Sequence, residues 1–280
     1  VKRLKFLITG AKGQLAKEFV KELTNIGVEF TALTKEELDI SDTNKVFKVI
    51  KEVKPDIVLN CSAYNFVDKA ETDFPSAYKT NAYGVKNLAY LCKQYNAYFI
   101  TYSTDYVFDG TKEGLYKEED TPNPINEYGK SKLSGEIWTL EEGLEKCLIF
   151  RTSWVYGDGT QNFVYKLLNW AKNNDILKIA MDEFSVPTPT NFLVEKTLKA
   201  IDKNLSGLYH LVPNGYASRY EWAKLILKVY GIKKIIIPVS KEVFNLPARR
   251  PDFSALDSSK IQKDLNENFE EWNDLVKRFY

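Results

Sequence analysis

The chain has 280 residues and carries 39 basic against 38 acidic side chains, a formal charge of +1. A balance this even gives no general electrostatic pull toward nucleic acid or an anionic membrane. No apolar run approaches the ~20 residues of a membrane span.

In chain order, "LKFLITG" reads as a buried strand that ends in a glycine turn, with a helix beginning near Gln14. The basic N-terminal "VKRLKFLITGAKG" is therefore expected to enter the core and not to act as a signal peptide. "VEFTALT" is a second strand, and "SDTNKVFKVIKEVKP" a helix with Ser41 or Asp42 as N-cap and Pro55 after its end. "DIVLNCSA" is a third strand, followed by one long helix over about 76–95. "AYFITYST" and "KCLIFRTS" are the fourth and fifth strands. Strands alternating with helices predict an α/β protein, a Rossmann-type doubly wound parallel sheet covered on both faces. Beyond residue 155 the alternation loosens. Helices are expected in "NFVYKLLNWAKNN", "NFLVEKTLKAIDKN", "SRYEWAKLILKVYG" and "NFEEWNDLVKRFY", and strands in "LKIAMDEF", "GLYHLV" and "IIIPVS". This divides the chain into a dinucleotide-binding domain, 1–155 plus roughly 190–212, and a smaller C-terminal substrate-binding subdomain, roughly 156–189 and 213–280.

Cys61, Cys92 and Cys147 lie far apart with no Cys-x-x-Cys, so neither a disulfide framework nor a zinc site is expected, and a reducing cytoplasm fits. The one histidine, His210, sits in a strand and reads as a core residue. Proton chemistry must then fall to Tyr, Lys, Asp, Glu, Ser or Thr.

"ITGAKGQLA" sets Gly10, Gly13 and Ala16 between the first strand and the first helix, with Gln14 and Leu15 opening that helix. A glycine turn there lets backbone N–H groups approach a pyrophosphate at a helix N-terminus. The spacing is Gly-x-x-Gly-x-x-Ala. About 20 residues on, an acid at the end of the second strand would bond a ribose 2′-hydroxyl. Thr34 and Lys35 stand there, with Glu36 following. A cation in that place leans toward NADPH, with NADH as the alternative.

Tyr128 and Lys132 lie four apart in "EYGKSKLSGE", a spacing that puts both on one helix face. A lysine ~4–5 Å away, at an effective dielectric of ~20, contributes about 3–4 kcal/mol of raw Coulomb energy. That would bring a phenol of pKa ~10 down by ~2–3 units. The expectation is that Lys132 makes Tyr128 a competent acid near neutral pH.

These residues, together with "VDKAE" (67–71), "STDYVFDG" (103–110), "LIFRTSWVYG" (148–157), "GLYHL" (207–211) and "PARRPDFSALD" (247–257), resemble the dTDP-4-dehydrorhamnose reductase branch of the extended short-chain dehydrogenase/reductase family. The resemblance runs from about residue 5 to the C-terminus. It implies hydride transfer from NAD(P)H to the C4 carbonyl of dTDP-4-dehydro-L-rhamnose, giving dTDP-L-rhamnose for cell-surface polysaccharide. It gives Tyr128 as proton donor, Thr104 as the hydroxyl that orients the carbonyl, and Lys132 as the residue beside the nicotinamide ribose. It further implies that Asp39 and Ile40 contact the adenine, that Ala63, Tyr64, Asn65 and Tyr102 line the cofactor, and that Asp105, Tyr106 and Trp154 meet the sugar nucleotide. Arg249 and Arg250 would pair with its diphosphate. Dehydratases of the family resemble one another in reading Asp-Glu where this chain has Asp105-Tyr106, so plain reduction is favoured over elimination. The chain departs from the resemblance at Ala16, at Asn65-Phe66, and at Ser185, where glycine is usual. No metal site is expected. Mg²⁺ between subunits, with Glu18 at one family position, is left open, as is a homodimer. Two other readings stay open: a reductase or epimerase acting on another nucleotide sugar, and a non-catalytic NADP-binding regulatory subunit resembling that of methionine adenosyltransferase.

Overall fold

The structure is a computed structural model describing residues 4–280; Val1, Lys2 and Arg3 of the basic N-terminal stretch lie outside the described residues. Strands β1 (Lys5–Thr9), β2 (Glu29–Leu33), β3 (Ile57–Asn60), β4 (Tyr98–Thr104) and β5 (Cys147–Thr152) join the later strand Gly207–His210 in one six-stranded sheet. Its order is Gly207–His210, β5, β4, β3, β1, β2, and every pairing is parallel. Strands buried on both sides read as continuous apolar runs, which is why "KFLIT", "IVLN" and "CLIFRT" were legible.

The chain leaves β1 for β2 on one side and for β3 on the other. The strand order reverses between β1 and β3, and in open α/β sheets ligands bind at that crevice. One face is covered by α1 (Gln14–Asn25), through Phe19 and Leu23, and by the later helix Thr190–Asp202, through Phe192 and Leu193. The other is covered by α2 (Thr43–Val53), through Val46 and Ile50, and by the helix Val85–Gln94. Asp42 caps α2, accepting from the N–H groups of Asn44 and Lys45, both at 3.1 Å.

The long helix expected over 76–95 is interrupted. An α-helix over Phe74–Tyr78 widens into a π-helical turn, Lys79–Gly84, before Val85–Gln94 continues. The turn lets the buried Asn81 side chain bridge to its neighbours. It accepts from the Tyr64 N–H (2.8 Å) and donates to the Tyr64 carbonyl and to Ser131 Oγ, both at 3.0 Å. Ser131 belongs to the helix Glu127–Glu141.

The remaining elements form a smaller body. Ile176–Ala180 pairs in parallel with Ile235–Val239, and Phe184–Ser185 pairs antiparallel with Ala217–Ser218. Helices Phe163–Asn173, Arg219–Val229 and Trp272–Phe279 close an aromatic core around Trp154, Tyr156 and Trp222. Among the described residues no helix is long and apolar enough to cross a membrane.

Candidate active site

The turn after β1 has the shape of an anion cradle. Gly10 takes φ +68°, and a Cβ there would lie 2.9 Å from both the Cys61 carbonyl oxygen and the Ser62 nitrogen, so only glycine fits against the end of β3. The Gly13 N–H donates to the Gly10 carbonyl (2.8 Å), and Gly13 caps α1 with no side chain over the first helical turn. That arrangement leaves the N–H groups of the turn open to an anion.

Leu15 packs on the sheet core. Gln14 turns instead to the chain after β5, donating to the Val155 carbonyl (3.1 Å) and accepting from Asn162 (3.0 Å). At the end of β2, the Thr34 N–H donates to Glu37 (2.8 Å) and Lys35 is exposed. Lys12, in the glycine turn, pairs with Glu36 at 3.0 Å. Asp39 spends its carboxylate on the Ser41 N–H (3.0 Å) and hydroxyl (2.6 Å), and Ile40 is buried. Ala63 and Tyr64 are half-buried beside the crevice, and Asn65 is exposed.

Thr104 ends β4, and Tyr128 and Lys132 lie on the helix Glu127–Glu141. That helix starts sharply because Asn126 caps it, accepting from the Gly129 N–H at 2.7 Å. Two glycines bring it in close. A Cβ on Gly129 would sit 2.2 Å from the Tyr106 carbonyl oxygen, and one on Gly135 would sit 2.2 Å from that of Asn81. The close approach seats Tyr128 against the end of β4. Thr104 stands beside its phenol, and the Tyr106 ring meets the Tyr128 ring edge-on at 6.2 Å.

Lys132 is 6 % exposed and donates to the backbone carbonyl of Tyr102 at 2.5 Å. The Tyr102 ring points to the other face of the sheet, where its hydroxyl meets Thr197 (2.7 Å). What Tyr102 brings to the site is therefore its carbonyl and not a ring against the cofactor. The electrostatics also correct an expectation. The Tyr128 phenol is held above its ordinary value, first by burial and then by the charge of Asp105, with the Thr104 hydrogen bond opposing. Lys132 does not reverse that direction. Burial brings the ammonium itself down to about 8, against the pull of Glu136.

Asp105 is buried, and its carboxylate is bound internally by the hydroxyls of Ser254, Ser185 and Thr104. Burial pushes it up to about 6 against those hydrogen bonds and the charge of Arg219. Tyr106 donates to Glu183 (3.2 Å), which also accepts from Arg219 (3.4 Å). The Arg219 guanidinium sits 3.7 Å from the centroid of the Trp154 ring, which stacks on Trp222 at 5.5 Å and 9°. Trp154 takes φ +41°, a strained conformation for a bulky residue, and its buried indole N–H has no partner among the described residues. Neither Glu183 nor Arg219 stands in a motif that marks it in the sequence.

Arg249 and Arg250 separate. Arg250 forks onto Asp68 of "VDKAE" with two contacts of 2.7 Å and donates to the Ala248 carbonyl (2.6 Å), which engages three of its five N–H groups. Arg249 is exposed, and its carbonyl accepts from Asn126 at 2.8 Å. Glu71 of the same motif accepts from the N–H of Glu127 (2.8 Å), so "VDKAE" holds both the arginine loop and the start of the tyrosine helix.

Beneath Lys132, Glu136 and Arg151 form a buried bidentate pair at 2.7–3.1 Å, each side chain 3 % exposed. His210 is a core residue: burial, then the charge of Arg151, lowers it to about 3. Glu18 pairs with Lys21 at 3.1 Å, and among the described residues no three His, Cys, Asp or Glu side chains gather around a metal position.

The family pattern described as "RmlD substrate binding domain" matches residues 4–280. The dTDP-4-dehydrorhamnose reductase of Aggregatibacter actinomycetemcomitans is 36 % identical over 98 % of this chain and 97 % of its own length. The spore coat polysaccharide biosynthesis protein SpsK of Bacillus subtilis is also 36 % identical, over 92 % of this chain and 91 % of its own. Among solved structures, a dTDP-4-dehydrorhamnose reductase from Clostridium acetobutylicum superposes with a TM-score of 0.95 at 39 % identity, covering 99 % of this chain and 98 % of that one. One from Bacillus anthracis in complex with NADP does so at 0.95 and 34 %, covering 99 % of each. The chain belongs to the family of the dTDP-4-dehydrorhamnose reductases, NAD(P)H-dependent oxidoreductases.

Proposed function

We propose that the protein reduces the C4 ketone of dTDP-4-dehydro-L-rhamnose to dTDP-L-rhamnose, using NADPH. The observation that carries this reading is the meeting of Thr104, Tyr128 and buried Lys132 at the carboxyl end of β4, beside the crevice where a Gly10–Gly13 turn opens toward an anion. The nicotinamide, when bound, supplies the hydride. Tyr128 gives its proton to the ketone oxygen, and Thr104, at the end of β4 beside the phenol, sets the direction of that transfer. Lys132, anchored by the Tyr102 carbonyl, places a cation one helical turn from the phenol.

Position 106 is a tyrosine bonded to Glu183, so the carboxylate that elimination would need there is missing and the reaction stops at reduction. The six-stranded body binds the dinucleotide, the smaller body the sugar nucleotide. The Bacillus anthracis relative was solved with NADP, and Lys35 after β2 and Lys12 of the glycine turn, which pairs with Glu36, are the cations that would meet a 2′-phosphate. The test is NADPH oxidation with dTDP-4-keto-6-deoxy-L-mannose, wild type against Tyr128→Phe. Turnover lost in the variant with NADPH binding retained supports the assignment. A wild-type protein that binds NADPH without turning over refutes it and favours the regulatory-subunit reading.

A further inference from the structure

Asp105 stands next to Thr104 but faces inward. It is 2 % exposed, and three hydroxyls take its oxygens: Ser254 Oγ (2.5 Å) and Ser185 Oγ (2.8 Å) donate to Oδ2, and Thr104 Oγ1 (3.1 Å) donates to Oδ1. Both serines belong to the smaller body. Ser185 lies in the strand Phe184–Ser185, and Ser254 follows the Phe184–Phe253 bridge, its N–H donating to the Phe184 carbonyl at 2.9 Å. They are as buried as the acid, at 0 % and 2 % exposure.

We propose that Asp105 is a positioning residue for the reduction: it fixes the Thr104 side chain through a clamp of two serine hydroxyls from the smaller body, one half of which, Ser185, stands where the resembled family usually has glycine. The inference rests on the reductase reading.

Hydrogen-bond directions support it. A hydroxyl has one proton and two lone pairs. The Thr104 proton is committed to Asp105 Oδ1, and one lone pair takes the Tyr106 N–H at 3.2 Å. The Thr104 oxygen stands beside the Tyr128 phenol at the end of β4. The ionised carboxylate therefore sets the rotation of Thr104, the hydroxyl beside the phenol. The acceptor that does this needs its own donors, because a buried carboxylate without them takes up a proton. Serine at 185, where the resembled family usually has glycine, supplies one of three. The other charged and titratable groups facing the acid are Arg219, whose charge favours its ionised form, and Tyr128 and Tyr106, whose phenols its charge holds up. Glu183 lies behind Tyr106 and Arg219.

The experiment pairs Ser185→Gly, the family's residue, with Ser185→Ala, which removes the hydroxyl without freeing the backbone. Asp105 is followed by carboxyl carbon NMR titration and activity by the pH profile of kcat. Loss of one charged hydrogen bond of three should raise the Asp105 midpoint by about one pH unit in both variants. The acid limb of kcat should move with it, kcat at neutral pH should fall several-fold, and KM should stay within about twofold. An unchanged midpoint overturns the clamp whether or not the enzyme turns over. A raised midpoint with an unmoved pH profile overturns the positioning role. Absence of wild-type turnover with a raised midpoint in the variants refutes the reductase reading and, with it, the positioning role, while leaving the clamp in place.

Discussion

Replacing Glu136 by glutamine isolates the charge beneath Lys132. Glu136 and Arg151 are each 3 % exposed and share contacts of 3.0, 3.1 and 2.7 Å. Arg151 Nη1 has no acceptor among the described residues, and the guanidinium lies 5.1 Å from the Phe108 ring centroid, so no other anion stands ready to replace the lost one. Breaking a buried pair by removing one partner costs about 3–5 kcal/mol, because the other charge stays buried. The glutamine carbonyl can keep one hydrogen bond, so about 3 kcal/mol is expected here, a large share of a total stability of about 5–15 kcal/mol. With a denaturant slope of about 3 kcal/mol per molar, the urea midpoint should fall by about 1 M. Tryptophan fluorescence reads this directly, since Trp154 and Trp222 are both buried. The same change removes the charge that holds the Lys132 ammonium up, so the lysine should fall below its value of about 8 and the alkaline limb of kcat should move to lower pH. A midpoint shift under about 0.3 M would mean that desolvation cancels the attraction in this pair. An unmoved alkaline limb would mean that the pair serves the fold and not the lysine.

Gly10→Ala forces a left-handed φ of +68° on a residue whose Cβ would stand 2.9 Å from two backbone atoms; it should cost about 2 kcal/mol or more and weaken NADPH binding, as read by thermal unfolding with and without NADPH. Wild-type stability together with wild-type binding would show that the turn relaxes. Arg250→Lys and Asp68→Asn each break one fork, so their effects on the KM for the sugar nucleotide should be alike and non-additive in the double variant, with a coupling of about 1 kcal/mol or more. Additive effects would mean that Arg250 meets the diphosphate independently of Asp68. Lys35→Glu should raise the KM for NADPH about tenfold while leaving that for NADH nearly unchanged; an equal rise in both would remove Lys35 from any role at a 2′-phosphate.

The parts of this molecule that were legible in the sequence are those written in short-range pattern. Apolar runs gave the strands, the glycine spacing gave the turn, and a four-residue spacing put Tyr128 and Lys132 on one face. Even Tyr102 was within reach. It shares strand parity with Tyr98 and Ile100, and all three pack in the core on the α1 side of the sheet, so its ring could not also face the helix that carries Lys132. What the sequence hid is contact between distant hydroxyls, carboxylates and guanidinia. Ser254 meets Asp105 across 149 positions, and Arg250 meets Asp68 across 182. A serine or an arginine in a loop carries no periodicity that announces its partner. The raised phenol was hidden for a related reason. A spacing of four states that a cation is near, while the degree of burial decides which effect wins.

That outcome bears on the direction of the reaction. A proton donor must hold its proton until the ketone oxygen gains charge, and a phenol raised by burial is fully protonated across the neutral range. Reduction should therefore be insensitive to Tyr128 ionisation from pH 6 to 8, with its alkaline loss set by Lys132 near 8. Oxidation of the product needs the phenolate, and its rate should climb with pH over the same range, about tenfold per unit. The lysine has a stability signature of its own. Its folded value lies below the ~10.4 of an unfolded lysine, so the unfolded chain binds more protons between about 8 and 10.4, and this group makes the fold more stable as pH rises through that window. Lys132→Met should remove that rise from a urea titration at alkaline pH and flatten the alkaline limb of any residual reduction. If the variant keeps both, the cation that matters at this site is not Lys132.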